Sequence, residues 1–214
     1  RLPFGVPSIN AAKEFGNGNY LWISYFYAYL NEKGRAGFVM ASSATASSGK
    51  DRDIRQKLVE TGHVDVMMSV GNNFFYTKSL PCSIWFFDKG KRDAIQDHVL
   101  FIDARNYYTV VDRTLNEWSE WQLKNLNAIV WLYRGEVDKY RRLLDEYAEA
   151  LGSDSDVNEL LAELDARAKA IKAEGKAATE AASKREKKMT EAKFEEMLAS
   201  VLEQAEIAKE LKWL

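Results

Sequence analysis

The stretch that decides the fold runs from residue 64 to residue 87. It reads VDVMMSV (64–70), then a short polar step, then FFYTKSLPCSIWFF (74–87). Both ends are apolar and β-branched or aromatic, so they read as strands, with a loop holding Lys78 and Pro81 between them. Phe74, Phe75 and Tyr76 are consecutive, and a strand sends neighbouring side chains to opposite faces. One core therefore cannot hide all three. At least one ring is aimed at a loop surface or cleft, where a flat ring can stack on a flat ligand. The competing reading keeps Phe74 and Phe75 in the core and Tyr76 at its rim.

Working outward, AGFVMA (36–41) is a third apolar strand and VLFID (99–103) a fourth. Tyr20 to Leu30 is a buried helix, with Asn17 or Asn19 as cap and Gly34 beyond its end. Asp51 to Thr61 is an amphipathic helix with Ile54 and Leu58 inward, stopped by Gly62. Helices interleaved with continuous apolar strands predict an α/β sheet covered on both faces. In open sheets of this kind ligands sit beyond the carboxyl ends of the strands. The loops Ser42–Gly49 and Gly71–Tyr76 both follow strands, so both lie on that side.

Composition changes near residue 133. All three prolines, all but three of the 12 glycines and five of the six tryptophans come before it. After it the chain is acidic and rich in Ala, Glu and Lys, a helical composition. Residues from Leu115 onward are expected to be helical, with Leu123, Leu126, Ile129, Val130 and Tyr133 as the first stripe. Gly135 interrupts it, and Gly152-Ser153-Asp154-Ser155 is a second break. Phe194, Val201 and Ala208 repeat at seven, the spacing of a helix seam. Two long helices packed as an antiparallel pair are expected, and an arm that docks a partner chain is equally natural. The domains read as 1–112 and 113–214.

The 214 residues carry a net charge of −2, so no global polycation marks a nucleic-acid partner. Cys82 is the single cysteine and His63 and His98 the only histidines. That excludes an internal disulfide and argues against a zinc cluster, and it fits a reducing, cytoplasmic setting. No apolar run is long enough to span a membrane. Gly16-Asn17-Gly18 reads as a turn before a helix rather than a nucleotide fingerprint. Asp51 and Asp53 face the dipole of their own helix. His63 reads as a cap of that helix's end. The basic run Lys184 to Lys188 reads as a solvated helix face.

Five segments in order carry a resemblance: GNGNYLWISYF (16–26), GRAGFVMAS (34–42), FFYTKSLPCSIWFF (74–87), LFIDARN (100–106) and LNAIVWLYRGE (126–136). Together they resemble the modification subunit of type I restriction–modification systems. These are S-adenosyl-L-methionine-dependent DNA methyltransferases acting on the exocyclic amino group of adenine. The resemblance covers about residues 5–147. It implies a Rossmann-like methyltransferase sheet, of which this chain holds the last three strands, followed by a long, coiled-coil-like helical extension. It also implies that an aromatic side chain after the sixth strand stacks on the flipped adenine, a role that falls on Phe75, with Tyr76 or Phe74 as alternatives. The implied partners are DNA, the specificity subunit, which the C-terminal helices would pair with, and the restriction subunit.

The family's catalytic motif, Asn or Asp followed by Pro-Pro-Phe or Pro-Pro-Tyr, is absent from the sequence, as is its glycine-rich cofactor motif. Leu2-Pro3-Phe4 lacks the group that holds the target amino nitrogen. The expectation is therefore the C-terminal part of a longer subunit, carrying the base wall and the partner arm but not catalytic alone. Self-association through the exposed apolar strand at Ala36–Ala41 or through the helices is also expected. The competing readings are a helical protein-interaction module and a fragment of another nucleic-acid methyltransferase.

Overall fold

The computed structural model describes residues 2–9, 14–15, 18–153 and 155–214. The chain forms two compact units, Arg1–Ser119 and Glu120–Leu214.

In the first unit the four apolar runs become β1 (Arg35–Ala41), β2 (Val64–Val70), β3 (Cys82–Asp88) and β4 (Leu100–Ala104), in the order β1-β3-β2-β4. β3 is antiparallel to both β1 and β2, and β4 runs parallel to β2. β1, β2 and β4 therefore point the same way, and the loops that follow them gather at one edge of the sheet. The period of two sends Trp85 and Phe87 of β3 to one face. There they meet Tyr20 and Ile23 of α1 (Asn19–Ala28) and Ile54 and Leu58 of α2 (Lys50–Glu60). Each of these side chains is buried, a gain of about 1.5–3 kcal/mol apiece before the entropy of ordering them is subtracted. The polar tips of its rings are matched: Trp85 Nε1 donates to Ser83 Oγ at 2.9 Å. The Tyr20 hydroxyl donates to the Ala44 carbonyl at 2.6 Å and accepts from Arg55 Nη1 at 3.0 Å. Burial raises the Tyr20 pKa, with the Arg55 guanidinium opposing the rise.

The outer face of α1 leaves Trp22, Tyr25 and Tyr29 exposed in a row of adjacent rings. β1 lies at the sheet margin with every residue but Met40 at least partly exposed. Gly18 precedes α1 and offers no side-chain cap; Asn19 is the first helical residue, and Gly16 and Asn17 lie outside the described residues. Part of the loop after β1 is a short 3₁₀ turn, Ser42–Ala46. The end of α2 corrects the role read for His63. Thr61 Oγ1 donates to the Leu58 carbonyl at 2.6 Å, and Gly62 takes a left-handed φ of +73°. The His63 ring instead meets the Tyr27 hydroxyl, Nδ1 to oxygen 2.6 Å. Burial, then the charges of Lys89 and Lys91, lower the His63 pKa.

The chain is not helical from Leu115. Asn116–Glu117 forms β6, paired antiparallel with β5 (Thr109–Val110), and the helix α3 starts at Glu120. Asp112 tightens the turn between the strands by accepting from both the backbone and the hydroxyl of Thr114.

The second unit holds α3 (Glu120–Arg134), α4 (Val137–Leu151), α5 (Val157–Ala181) and α6 (Lys187–Trp213). Gly135 and Gly152 end α3 and α4 with φ of +69° and +61°. Asp156 caps α5, its carboxylate accepting from the amides of Asn158 and Glu159. Ser153 and Ser155 flank the break; Asp154 lies outside the described residues. α5 and α6 form an antiparallel hairpin over Leu164, Ala168, Ile171, Val201 and Ala208. The helices come close at Gly175, where an added Cβ would stand 3.0 Å from Phe194 Cβ. The basic run read as a helix face straddles the turn into α6 instead.

The expected stripe of α3 is also corrected. Leu123 is exposed, whereas Gln122 and Asn125 are buried. The reason is a polar junction. Asn125 Nδ2 donates to the Glu210 carbonyl at 2.9 Å, and the Tyr147 hydroxyl donates to Asn125 Oδ1 at 2.8 Å. Gln122 Nε2 donates to Glu210 Oε1 at 3.2 Å. Partnered in this way, the amides of α3 turn inward and Leu123 turns out.

Candidate functional site: the aromatic loop after β2

β2 ends at Val70, and Gly71 follows at a point with no room for a side chain. A Cβ there would lie 2.5 Å from the Arg105 carbonyl oxygen, at the end of the parallel neighbour β4. Asn73 then takes a left-handed φ of +65°, which Asn accepts more readily than most residues. That residue turns the chain into the aromatic run.

The three rings take three different positions. Phe74 is half-buried, 4.7 Å from the Trp118 ring and edge-on to Tyr108 at 5.9 Å. Phe75 is 39% exposed and forms an antiparallel bridge with Lys78. Tyr76 stands at the tip of the tight turn this bridge closes and is 90% exposed. Leu80 is exposed on the return limb, and Pro81 precedes β3, where its missing N–H costs no ladder bond. Cys82, the first residue of β3, is buried, and burial pushes its thiol pKa up.

The loop is braced by residues that sequence reasoning did not single out. The Asn116 amide donates to the Asn73 carbonyl at 2.7 Å, and its side-chain Nδ2 donates to the Asn72 carbonyl at 3.0 Å. Trp118 Nε1 donates to the Tyr107 carbonyl at 2.7 Å, fixing the ring against which Phe74 packs. The available signal was the Asn72-Asn73 pair directly after a strand, a turn-forming dipeptide whose backbone needs outside partners.

At the same edge, Arg105 chelates Asp103, with Nε and Nη2 at 2.8 and 2.7 Å from its two oxygens. Those hydrogen bonds lower the Asp103 pKa to about 2. Both groups are exposed, so this pair sets the orientation of Arg105 more than it stabilises the fold. Elsewhere Asp51 and Asp53 sit in the first turn of α2, as their spacing predicted. Among the described residues no group of His, Cys, Asp and Glu could hold a metal ion. No helix among them is long and apolar enough to cross a membrane. A cavity of about 770 Å³ opens beside α2, lined by Arg52, Val59, Met67, Trp85 and Phe101 among others. No residue of the aromatic loop lines it.

The arrangement is a fixed stem with two rings presented at its end. It can stack on a planar group.

Comparison with known proteins gives the loop its context. The chain is 36% identical over 126 residues to the type I restriction enzyme MjaIX methylase subunit of Methanocaldococcus jannaschii, covering 59% of this chain and 21% of that protein. It is 27% identical over 105 residues to the type I restriction enzyme HindI methylase subunit of Haemophilus influenzae, covering 49% of this chain and 23% of that protein. The chain thus spans under a quarter of the length of these relatives. A type I restriction-modification methyltransferase subunit from Streptococcus thermophilus shares the fold, with a TM-score of 0.52 and 19% identity over 60% of this chain and 25% of that one. The N-6 DNA methylase family model matches residues 8–158, more than half of the sequence, and the chain belongs to that family.

Proposed function

We propose that this chain forms the target-base wall of an adenine-specific DNA methyltransferase subunit of a type I restriction–modification system. The observation that carries the reading is the braced turn after β2, with Phe74 anchored below and Phe75 and Tyr76 held outward. A base rotated out of a duplex loses its neighbours and must regain stacking in the pocket. A ring in this place supplies about 1–3 kcal/mol of it. Phe75 takes that role, because its backbone is fixed by the bridge to Lys78 while its ring stays accessible. Tyr76 is the alternative and Phe74, packed against Trp118, the least suited.

The methyl donor of such an enzyme is S-adenosyl-L-methionine. The sequence lacks the family's glycine-rich cofactor motif, so the residues that would cradle the donor are not among those described. The sequence also lacks the Asn/Asp-Pro-Pro-aromatic motif. The chain's own contribution is therefore binding and orientation of the base, and the 214-residue polypeptide is expected to be inactive alone. The buried, single Cys82 fits a cytoplasmic setting.

In the full-length subunit, Phe75→Ala should lower methylation of unmodified genomic DNA by about tenfold or more while leaving the complex assembled. An undiminished rate would remove the base-stacking role.

A second reading concerns residues 113–214, as an arm that pairs with helices of the specificity subunit and so joins DNA and restriction subunit in one complex. It is favoured by Met189, Met197 and Leu202, which α6 leaves exposed. Deleting residues 153–214 should abolish co-purification with the specificity subunit, and an intact complex would sink this arm role.

A further inference from the structure

Asn116 is a buried amide on a ribbon of two-residue strands, an unusual place for a side chain that must find hydrogen-bond partners. It finds them on the stem of the aromatic loop. Its main-chain N–H donates to the Asn73 carbonyl and its Nδ2 to the Asn72 carbonyl, so one residue holds two successive peptide groups. The same segment supplies two more supports: Trp118 and Tyr108 flank Phe74, and the Arg105 carbonyl closes over Gly71. Beyond the stem, residues 75–80 are exposed, and the Phe75–Lys78 bridge closes only their own tip. The position of that tip is therefore set where the two limbs leave the sheet, at Asn72 and Asn73 on one side and at Cys82 on the other.

The position matters because stacking is useful only where the base arrives, and a displacement of about 1 Å can cost a hundredfold in rate. We propose that Asn116 is a positioning residue for the stacking loop, acting through the carbonyls of Asn72 and Asn73 to fix where Phe75 and Tyr76 stand. This rests on the base-stacking reading above. The ribbon β5–β6 then serves as a brace for the loop after β2.

The experiment uses the full-length subunit assembled with its specificity subunit, unmodified genomic DNA as methyl acceptor and saturating methyl donor. Asn116→Ala, Phe75→Ala and the double variant are compared. Asn116→Ala should lower kcat by about ten- to a hundredfold and change KM for DNA by less than about twofold. In the Phe75→Ala background the same change should cost nothing further, because Asn116 acts through the ring already removed. A general structural role would instead multiply with Phe75→Ala.

The main-chain bond to Asn73 survives any substitution here; Asn116→Ser keeps a hydrogen-bond donor on a shorter side chain and should fall between wild type and Asn116→Ala. If Asn116→Ala does not fold, Asn116→Ser carries the same cycle. A wild-type rate in Phe75→Ala sinks the base-stacking reading and this proposal with it. An impaired Phe75→Ala beside wild-type kcat in the Asn116 variants, or effects that multiply, overturns the positioning role alone.

Discussion

The interior of the sheet unit is built of rings, with Tyr20, Trp85 and Phe87 almost wholly buried. The centre of the α3–α4–α6 junction in the helical unit is an amide, a phenol and a carboxylate, held together by hydrogen bonds. The first kind of interior buries much area per residue and is rigid, so it can carry loops whose positions matter. The second contributes less net stability, because each polar group was already satisfied by water. What it adds is specificity: one helix arrangement satisfies every member and a shifted one leaves some unpaired. The base-presenting surface and the partner-docking arm proposed above would ask for those two properties respectively.

The contrast is broken most severely in the ring-built core. Trp85→Ala should cost about 3–5 kcal/mol in urea unfolding of the sheet unit. A loss below about 1 kcal/mol would mean that the core relaxes around the gap and is not rigid. Next comes the polar junction. Asn125→Ala leaves the Tyr147 hydroxyl without its acceptor and removes the donor to Glu210, with an expected cost of about 1–3 kcal/mol. Tyr147→Phe, which removes one bond and keeps the ring against Trp121, should cost about 1 kcal/mol. If the two variants cost the same, the junction is not a network.

The hairpin gives a smaller, sign-changing effect. Gly175→Ala gains helix propensity worth about 1 kcal/mol but drives a Cβ against Phe194. It should destabilise the native hairpin and stabilise one that already carries Phe194→Gly, which removes all three atoms the new Cβ would meet, as read by helical circular dichroism during melting. Stabilisation in both backgrounds would show that the helices have room to spare.

The smallest effect is in pH. The folded state lowers the His63 pKa, so the unfolded chain binds the proton more readily. The stability from this site is complete above the unfolded value of about 6.5 and is lost as pH falls through the folded one. With the ring only partly buried, the effect should be small: a shallow fall in the melting temperature of the sheet unit on acidification, flattened in His63→Asn. An unchanged slope in that variant would assign the acid sensitivity to other groups.

The four strands of the main sheet were legible, because each is a run of apolar or β-branched residues that could only be buried in this way. α1 and α2 were legible within two residues at each end. The ribbon β5–β6 was not. Its strands are Thr109–Val110 and Asn116–Glu117, too short and too polar to show alternation, and they exist because Asn116 is captured by a loop more than 40 residues earlier. The stripe on α3 misread Leu123 for the same kind of reason. Periodicity counts apolar residues, and here the inward positions are amides whose partners lie on α4 and α6. In the aromatic loop, sequence limited how many rings could be buried, but the choice among them depended on Trp118 and Tyr108, which are distant in sequence.

Cys82 gives the loop a clock. It is the only thiol in the chain, buried at the first residue of β3, directly after Pro81 where the loop ends. A thiol reagent reaches it only when the end of β3 lifts away from its neighbours, so the labelling rate counts those openings one molecule at a time. Because the loop and β3 share this junction, loosening of the stem should speed the clock.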